Sequence, residues 1–498
     1  MHLSGISKPA NPAEVSMKYL GWIAAAILIG GGGWSCGSDP SPPTDSGSGM
    51  DAAFDSGSGM DAAGDSGSAC GDGVLGGVEA CDGTAFRDDP TCTSLGLPAG
   101  TLSCTAECEV DTSSCAVCDD GICSDGETSA TCVQDCGVKS IAAGRTHSCA
   151  VLADGSLWCW GAWDGHRMGG APDTNVPIRV PGHDDVVQVT AGDHHTCFTT
   201  TADEVWCFGA NGFGESGPTP SHDVFPPAMV TAGVRVSAGS NHTCAIEPVA
   251  NDVVCWGRGD YGQRGDGQFS TRQNAPGVVV PDAQTSAARD VQLGRHVSCL
   301  VLDADFVRCW GDNTHGWIDR DRDWKNAPYT IFALPNARAT SVAVGDSHVC
   351  FNFQRSDGTN KGMVCAGGNA HGQVGTEPST DVVASAGFDG ERRPLVAGFS
   401  YSCAQDLSVP ESPNLQCWGD NYFGQLGDGS FDAHYPPGEV VGIDEVAALS
   451  GGTDHVCAIL PDETARCWGR NREGQLGNAS PERAHATPVV PVGLGGTP

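Results

Sequence analysis

The sequence predicts an all-β protein in which a seven-bladed β-propeller of four-stranded blades follows a small disulfide-rich loop module and a disordered spacer. Three observations lead to this prediction. One unit of about 51 residues recurs seven times between residues 138 and 498. Each unit contains four short runs typical of β-strands, separated by turn residues. The 498-residue chain also carries 70 Gly, 30 Pro and 25 Cys, a composition typical of a loop-rich exported protein.

The recurring unit combines an Ala-Gly turn, a first cysteine, and a second cysteine that is followed by an aromatic residue and Gly. The second copy shows it in full, as Ala191–Cys197 followed by Trp206–Gly209. The seven copies begin at Ala143, Ala191, Ala238, Leu293, Val344, Ala397 and Gly451. Self-similarity at a fixed period indicates that one supersecondary unit is repeated along the chain.

Each unit reads as four strands. An apolar alternating strand such as Val186–Thr190 leads to the turn, and a second strand carries the first cysteine. A hairpin such as Ala153–Gly155 leads to the third strand, and a glycine-rich loop leads to a fourth strand such as Pro226–Val230. Four antiparallel strands cannot bury both sheet faces alone, so the units are predicted to pack radially as the blades of a propeller.

The last two repeats carry the longest recurring motif. Trp418–Gly427 and Trp468–Gly477 both read Trp-Gly-x-Asn-x-x-Gly-Gln-Leu-Gly. Together with the Ala-Gly-x-x-His turn, this motif resembles the regulator of chromosome condensation repeat family over residues 138–498. Repeat four departs from it at Asn313–Ile318, and repeat five has Ala366 in place of the Trp. The resemblance implies a seven-bladed propeller.

The resemblance also implies that the propeller closes by pairing strands from both chain ends. Pro488–Val492 is therefore expected to complete the blade that begins with Val138–Ile141. The family's nuclear roles, chromatin contact and guanine-nucleotide exchange, are not expected here. The chain has a formal net charge of −35, and residues 138–498 contain 41 acidic against 23 basic residues, so they repel phosphate backbones. No nucleic-acid partner is predicted.

The two cysteines of each repeat are 10 to 15 residues apart, across one predicted hairpin. The midpoint between Cys149 and Cys159 is Asp154, inside the turn, so the two cysteines are expected to lie opposite each other on adjacent strands. Opposed positions of an antiparallel pair bring Cβ atoms within bridging distance. The predicted disulfides are Cys149–Cys159, Cys197–Cys207, Cys244–Cys255, Cys299–Cys309, Cys350–Cys365, Cys403–Cys417 and Cys457–Cys467. With ten cysteines of the module and Cys36, they account for all 25.

Residues 1–35 read as an export signal, with Met17 as the expected true start. A positive charge at Lys18 precedes the apolar run Tyr19–Ile29, and small residues lead to Cys36. The segment resembles a bacterial lipoprotein signal, which implies that Cys36 is acylated and that lipid alone holds the protein at a membrane. A plain signal peptide cut near this point is the alternative. Residues 36–69 repeat Asp-Ser-Gly-Ser and cannot bury a core, so a flexible spacer is predicted.

Residues 70–137 contain ten cysteines in groups of six and four. Their even number in an exported, glycine-rich stretch predicts a disulfide module, and its connectivity stays open. Zinc is the alternative, but the close pairs Cys104/Cys108 and Cys132/Cys136 lack the two-residue spacing of zinc knuckles. The candidates for a Ca²⁺ site are Asp119, Asp120, Asp125 and Glu127, although their spacing differs from an EF-hand and solvated acids are the simpler interpretation. No other metal and no cofactor are predicted.

Catalytic motifs are largely missing from the sequence. Five repeats place a histidine two residues before the first cysteine, at His147, His195, His242, His348 and His455. Rotationally equivalent positions lie in different blades, so each histidine is interpreted as bonding the backbone of its own blade at the turn. Gly257–Gly262 matches a nucleotide-binding glycine motif and Arg264–Asp266 an adhesion tripeptide, but both lie in the loop of repeat three, outside a βαβ unit.

The glycine-rich loops after the third strands are expected to emerge at one end of the propeller. Aromatic side chains beside Arg are typical anchors for binding partners, although packing between blades is the alternative role. The candidate binding residues are Trp163, Phe213, Tyr261, Trp317, Trp324 and Phe423.

These features predict a monomeric, non-catalytic binding or scaffold protein outside the cytoplasm. It is expected at the outer membrane or cell surface as a lipoprotein, or alternatively as a secreted protein. The predicted partner is a protein or a polymer of the cell envelope, bound by end loops of the propeller. The alternative is an enzyme acting on polysaccharide or peptide at the axial end, which would need two carboxylates or a nucleophile pair converging near the axis.

Overall fold

The structure, a computed structural model, describes residues 80–82, 85–87, 90, 102–105, 109–111, 132–162, 174–219, 221–249, 251–279, 287–302, 306–318, 321–332, 337–355, 361–389, 392–407 and 414–494. The predicted signal, Cys36, the spacer and Trp163 lie outside the described residues, as do the calcium candidates Asp119, Asp120, Asp125 and Glu127. Within the described part, no helix is both long enough and apolar enough to cross a membrane.

Short elements precede the propeller. Strand β1 (Cys81–Asp82) pairs with β2 (Ala85–Phe86), and β3 (Ser103–Cys104) pairs with β4 (Val110–Asp111). The helix α1 spans Val133–Cys136. Cys81 is disulfide-bonded to Cys104, and Cys132 and Cys136 are disulfide-bonded as well. The described cysteines of this region therefore form disulfides.

Residues 138–489 form seven sheets of four antiparallel strands, and each sheet uses consecutive strands. Blade 1 comprises β5 (Val138–Ala143), β6 (His147–Leu152), β7 (Leu157–Gly161) and β8 (Thr174–Arg179). Blade 2 comprises β9 (Val186–Ala191), β10 (His195–Thr200), β11 (Glu204–Ala210) and β12 (Asp223–Ala232). Blade 3 comprises β13 (Arg235–Ala238), β14 (His242–Ile246), β15 (Val253–Gly257) and β16 (Gln273–Val278). Blade 4 comprises β17 (Ala288–Leu293), β18 (Val297–Leu302), β19 (Val307–Gly311) and β20 (Lys325–Phe332). Blade 5 comprises β21 (Ala337–Val344), β22 (His348–Arg355), β23 (Lys361–Asn369) and β24 (Ser379–Asp389). Blade 6 comprises β25 (Arg392–Ala397), β26 (Tyr401–Asp406), β27 (Asn414–Gly419) and β28 (His434–Glu439). Blade 7 comprises β29 (Ala448–Gly451), β30 (His455–Ile459), β31 (Ala465–Arg470) and β32 (Ala484–Val489). The predicted seven-bladed, all-β architecture is confirmed.

The expected exchange of strands between the chain ends is wrong. Blade 1 already receives its fourth strand from β8, so the last strand of the chain, β32, stays in blade 7, where Val489 lies opposite Cys467. The ring closes through contacts between blades 7 and 1. Val138 N–H donates to the carbonyl oxygen of Glu463 at 2.8 Å, and Ile141 and Ile459 share one buried apolar cluster.

The core lies between neighbouring blades. One cluster, for example, combines Val301 and Val307 of blade 4 with Val342 and Phe351 of blade 5. Second strands such as β18 are buried along their whole length, because blades cover both of their faces. Polar side chains on second strands, such as His195 and Thr196 of β10, are therefore buried as well.

The repeat cysteines form seven disulfides, which coincide with the pairs expected from their spacing. In each pair the two residues are directly opposed on the second and third strands, as Cys149 and Cys159 are, and the Cα atoms lie 4.0–4.1 Å apart. The sulfur atoms of Cys299 and Cys309 are 2.00 Å apart. Every bridge therefore joins two strands of one blade, and none of the seven joins two blades.

Replacing Cys299 and Cys309 together by Ala tests how much one bridge stabilises the propeller. The bridge spans a sequence separation of 10 residues. Because closing a loop of that size constrains the unfolded chain, we expect the variant to fold but to lose up to about 3 kcal/mol of stability. Guanidinium unfolding followed by tryptophan fluorescence measures the loss. A midpoint equal to that of the parent protein would contradict a stabilising role.

Candidate binding surface and central channel

Two sets of loops emerge at the same end of the propeller. In each blade the first strand runs toward the Ala-Gly turn, and the third strand, antiparallel to the second, runs back to that turn. In blade 1, for example, Ala162 N–H after the third strand donates to the carbonyl oxygen of Thr146 in the turn at 2.9 Å. We call this end the loop end and the opposite end, with the hairpins between second and third strands, the hairpin end.

A row of stacked side chains crosses blades 2 to 4 at the loop end. We call Phe213, Arg258, Tyr261, His296 and Trp324 the aromatic row. The Arg258 guanidinium lies over the ring of Phe213 at 5.0 Å and over that of Tyr261 at 5.1 Å. Tyr261 stacks in parallel on His296, with ring centroids 4.3 Å apart, and contacts Trp324 at 4.7 Å. Loops from three blades thus build one preorganised surface.

The electrostatics of the row favour fixed geometry. Arg258 donates from Nε and Nη2 to the carboxylate of Asp260 at 2.7 and 2.9 Å, and these hydrogen bonds raise the pKa of the guanidinium. Burial lowers the pKa of His296 to about 4, with the charges of Arg258 and Arg295 acting in the same direction. The imidazole is therefore neutral at pH 7 and stacks on Tyr261 without a charge. The outer end of the row is open, because Trp324 is 43% exposed.

The structure brings three of the six candidate binding residues together, Phe213, Tyr261 and Trp324. Phe423 also lies at the loop end, but in blade 6, where Arg470 lies 5.2 Å above its ring and the exposed Tyr422 contacts its edge. The sequence did not single out Arg258 and His296 as members of the row. Both follow a repeat motif, Arg258 after the third strand and His296 in the Ala-Gly turn, so their positions at the loop end could have been deduced.

The prediction of Trp317 as a binding residue is wrong, because Trp317 is only 9% exposed and packs in the core between blades 4 and 5. It occupies the position of Gln425 in the repeat motif. The same cluster contains Val349, whose partner on the next strand is Ala366, the residue that replaces the usual Trp. A ring from the loop of blade 4 therefore supplies the bulk that the third strand of blade 5 lacks.

The adhesion-like tripeptide is not available to a partner. The Arg264 side chain is fully buried, pairs with Asp266 at 3.0 Å, and donates to the carbonyl oxygens of Gly257 and Ser270. It holds the loop of blade 3 in place. Gly265 has φ +68°, and a Cβ at this position would overlap the Trp310 ring of the next blade, so glycine is favoured here.

A central channel of about 670 Å³ is lined by the first strands of all seven blades. Its mouth at the loop end carries the residues that follow the Ala-Gly turns. Arg145 pairs with Asp193 at 3.8 Å, and Arg295 pairs with Asp346 at 3.7 Å. Arg295 also lies 5.6 Å above the ring of Phe399, two blades away. The side chains at the mouth therefore reach across blade boundaries.

The channel mouth bears on the enzymatic alternative, which needs converging carboxylates. The pKa of Asp346 is raised to about 6, mainly by burial and also by the charges of Asp312 and Asp193, against the opposing effect of Arg295. Asp193, Asp346 and Asp454 each have an arginine within 4 Å. No group of three His, Cys, Asp or Glu side chains suited to a metal ion occurs among the described residues. The mouth is therefore a set of paired charges, which is more typical of a structural or binding surface.

The repeat histidines link neighbouring blades, so the expectation that each bonds its own blade is wrong. In every case Nε2 lies 2.8–2.9 Å from a hydroxyl of the following blade, on the residue before its first cysteine. The pairs are His147–Thr196, His195–Thr243, His242–Ser298, His348–Ser402 and His455–Ser148. The last pair joins blade 7 to blade 1 and so closes the ring.

The same hydroxyl makes a second bond, which fixes the histidine tautomer. Ser298 Oγ donates to the carbonyl oxygen of Gln263 at 2.7 Å, and Trp310 Nε1 donates to the same oxygen at 2.8 Å. Because the hydroxyl hydrogen is used on this carbonyl, His242 Nε2 carries the proton that it donates to Ser298. We call this arrangement of histidine, hydroxyl, tryptophan and carbonyl the interblade latch.

Two junctions lack the histidine–hydroxyl pair of the latch. Repeat four has Val297 in place of the histidine, and the next blade has Val349 in place of the hydroxyl. Repeat six has Tyr401, followed by Val456 in blade 7, and Tyr401 Oη lies 2.9 Å from the carbonyl oxygen of Gly452. Histidine and hydroxyl are thus present or absent together. Comparison of each repeat with the next one in the sequence could have found this pairing.

Glycines of the Ala-Gly turns meet around the axis. A Cβ at Gly192 would overlap the carbonyl oxygen of Gly239 in the next blade, and one at Gly239 would overlap that of Gly294. The same contact joins Gly452 of blade 7 to Gly144 of blade 1. Only a residue without a side chain allows the backbones of adjacent turns to approach so closely.

Fold and contacts define a disulfide-bonded, seven-bladed β-propeller built from one repeated unit. The regulator of chromosome condensation (RCC1) repeat is the family whose models match, one over residues 138–166, 186–215, 234–263 and 446–475, and a second over 154–199 and 415–459. The chain therefore contains RCC1 repeats.

Among curated proteins, the ultraviolet-B receptor UVR8 of Arabidopsis thaliana is 27% identical over 176 residues. That alignment covers 34% of this chain and 37% of the receptor, so the chain spans little more than a third of the length of this relative.

Solved structures share the fold at low identity. Human WBSCR16 matches with a TM-score of 0.55 and 18% identity, covering 65% of this chain and 87% of that one. Yeast RCC1 (Prp20) bound to Kap60 matches with a TM-score of 0.57 and 16% identity, covering 68% and 84%. Prp20p of Saccharomyces cerevisiae matches with a TM-score of 0.58 and 17% identity, covering 68% and 87%.

A double-mutant cycle tests the interblade latch. His242→Val and Ser298→Val together reproduce the apolar pair found between blades 4 and 5. Each single variant leaves one buried polar group without its partner, so we expect losses of about 1–3 kcal/mol each. The double variant should lose less than the sum of the single variants by at least about 0.5 kcal/mol. Denaturant unfolding of the four proteins measures this coupling, and strictly additive losses would count against the latch.

The buried histidines predict a loss of stability in acid. Burial lowers the pKa of His147, His195 and His455 to about 3 and that of His348 to about 4, and it lowers the pKa of His242 as well. The unfolded chain binds these protons near pH 6.5, whereas the folded protein does not. Stability is therefore full above about pH 6.5 and falls as the pH drops, by about 1.4 kcal/mol per pH unit for each histidine.

Thermal unfolding between pH 8 and pH 4 measures this effect. Four buried carboxyl groups whose pKa is raised act in the opposite direction and reduce the net loss of stability toward pH 4, namely Glu215, Asp290, Asp346 and Asp454. His455→Gln should make the profile less steep, whereas His371→Gln, at a half-exposed side chain, should leave it unchanged. A melting temperature that stays level from pH 6.5 to pH 5 would contradict the prediction.

Proposed function

We propose that this chain is a non-catalytic binding protein outside the cytoplasm, and that its loop end docks a protein partner. The aromatic row is the observation that carries the proposal. It presents stacked rings and a guanidinium from three blades, with the exposed Trp324 at its edge. Aromatic and arginine side chains held in fixed positions are the usual anchors of protein interfaces, because little conformational entropy is lost when they bind.

The fold relatives support a protein partner. One solved structure shows yeast RCC1 bound to Kap60, and another concerns the binding of Prp20p to Gsp1p and histones. Propellers of this type therefore offer surfaces to other proteins. A polymer of the cell envelope remains the second class of partner that the loop end could accept, and the experiment below separates the two classes.

The disulfides support a location outside the cytoplasm. All seven repeat pairs are bonded and fully buried, and such a set of structural disulfides persists in an oxidising compartment. We further propose that acylated Cys36 anchors the protein at the outer membrane or cell surface, with residues 36–69 as the spacer that lets the propeller reach its partner.

Photo-crosslinking tests the binding surface. The photoreactive residue p-benzoylphenylalanine replaces Trp324 or Tyr422, which are 43% and 74% exposed at the loop end, and the protein is irradiated in intact cells. We expect adducts of defined mass that contain a second protein. Tyr329, 43% exposed on the outer strand of blade 4, is the matched control. Equal adducts at Tyr329, or none at either loop-end position, would contradict the proposal, and an adduct with polysaccharide would assign the surface to an envelope polymer.

Replacing Cys36 by Ser tests the anchor. Without the thiol no acyl chain can be attached, so we expect the protein to move from the membrane fraction to the soluble fraction. Ser41→Ala, a change of similar size within the spacer, should leave the distribution unchanged. Fractionation with immunoblotting measures both variants. Retention of the Cys36→Ser protein in the membrane fraction would show that lipid at this residue is not the anchor.

A further inference from the structure

We propose that the aromatic row selects a basic segment of its protein partner, in which Lys or Arg side chains lie against Trp324 and its neighbouring carboxylates. This inference rests on the proposed function and adds the chemistry of the partner. It follows from three features of the loop end: an exposed ring surface, carboxylates without an ion-pair partner among the described residues, and cations of which three in four are already paired.

The exposed ring surface extends over two neighbouring loops. Trp324 is 43% exposed and Phe269 is 53% exposed. The two loops are joined side by side, since Gly267 N–H donates to the carbonyl oxygen of Asn326 at 2.8 Å and Asn326 Nδ2 donates to the carbonyl oxygen of Gly267 at 2.9 Å. Aromatic faces attract ammonium and guanidinium groups, and Trp does so most strongly.

Three of the four cations around the row, all except the exposed Arg322, are already paired. Arg258 is held by two hydrogen bonds to Asp260, Arg295 pairs with Asp346 at 3.7 Å, and Lys325 pairs with Asp321. These side chains would have to break an ion pair before binding an acidic partner. An acidic segment is therefore the poorer fit to this surface.

Two carboxylates near the row have no ion-pair partner among the described residues. Asp312 accepts a hydrogen bond from Thr314 N–H, and Asp323 is exposed directly before Trp324. Together with Asp260, Asp321 and Asp346, they give five carboxylates against the four cations Arg258, Arg295, Arg322 and Lys325. Negative charges are also crowded at Asp346, because the nearby carboxylate of Asp312 contributes to the raised pKa of the Asp346 carboxyl group. A partner's cation would relieve this excess.

The charge of the whole molecule acts in the same direction. The chain carries a formal net charge of −35, of which −18 belongs to residues 138–498. A field of this sign increases the rate at which basic partners arrive and disfavours acidic ones. The row then supplies the local contacts that a net charge alone cannot supply.

Peptide binding to the purified full chain tests the inference. The probes are three fluorescein-labelled 12-residue peptides in which Gly alternates with Lys, Glu or Gln, measured by fluorescence anisotropy at 150 mM salt. We expect saturable binding of the Lys peptide alone. Trp324→Ala and Asp323→Asn should each weaken it about fivefold, the effect of one cation–π or charge contact. Circular dichroism verifies folding, and the exposed Asp323→Asn variant serves where Trp324→Ala alters the row.

Matched controls separate local recognition from general attraction. Tyr329→Ala removes a ring that is equally exposed in the same blade, and Glu445→Gln removes one exposed negative charge at the hairpin end. Both should change the dissociation constant less than twofold. Equal losses in the controls, or no binding of the Lys peptide, would overturn the inference. Binding of the Glu or Gln peptide with the same dependence on Trp324 would also overturn it, but would leave the loop end as a protein-docking surface.

Discussion

The buried hydroxyl of the interblade latch is the contact on which the ring of blades depends. In blade 4, Ser298 accepts from His242 of the preceding blade and donates to the carbonyl oxygen of Gln263 in the preceding loop. One side chain therefore positions both the turn and the loop of its neighbour. The aromatic row depends on these contacts, because Tyr261 lies on the loop whose Gln263 carbonyl oxygen is bound by Ser298 and Trp310, and His296 lies two residues before Ser298 in the chain.

Covalent and non-covalent bonds have separate tasks in this propeller. The seven disulfides join strands within blades, whereas hydrogen bonds, apolar clusters and glycine contacts join one blade to the next. Disulfide formation therefore constrains each blade, but it does not join one blade to the next. Closure between blades 7 and 1 relies on His455 and Ser148 together with Trp160, which donates to the carbonyl oxygen of Gln475.

Much of the fold could be predicted from the sequence because its signals are local. The period of the repeat, the alternation within strands and the cysteine spacing across each hairpin all lie within one unit. The closure of the ring could not be predicted in this way, since no local signal shows whether the last strand pairs within its own blade or with blade 1; in the structure β8 and β32 each pair with the third strand of their own blade. Trp317 was misread for the same reason: its role depends on Ala366 in the following repeat, about 50 residues away.

The intra-blade disulfides have a consequence for how the protein reaches its native state. The first cysteine of each repeat is bonded to a cysteine that follows it by only 10 to 15 residues. In the export that we propose, the two thiols of a hairpin emerge one after the other, before the next repeat is exposed. Correct bridges can therefore form sequentially from the N-terminal blade onward, and fourteen thiols need not search among one another for their partners.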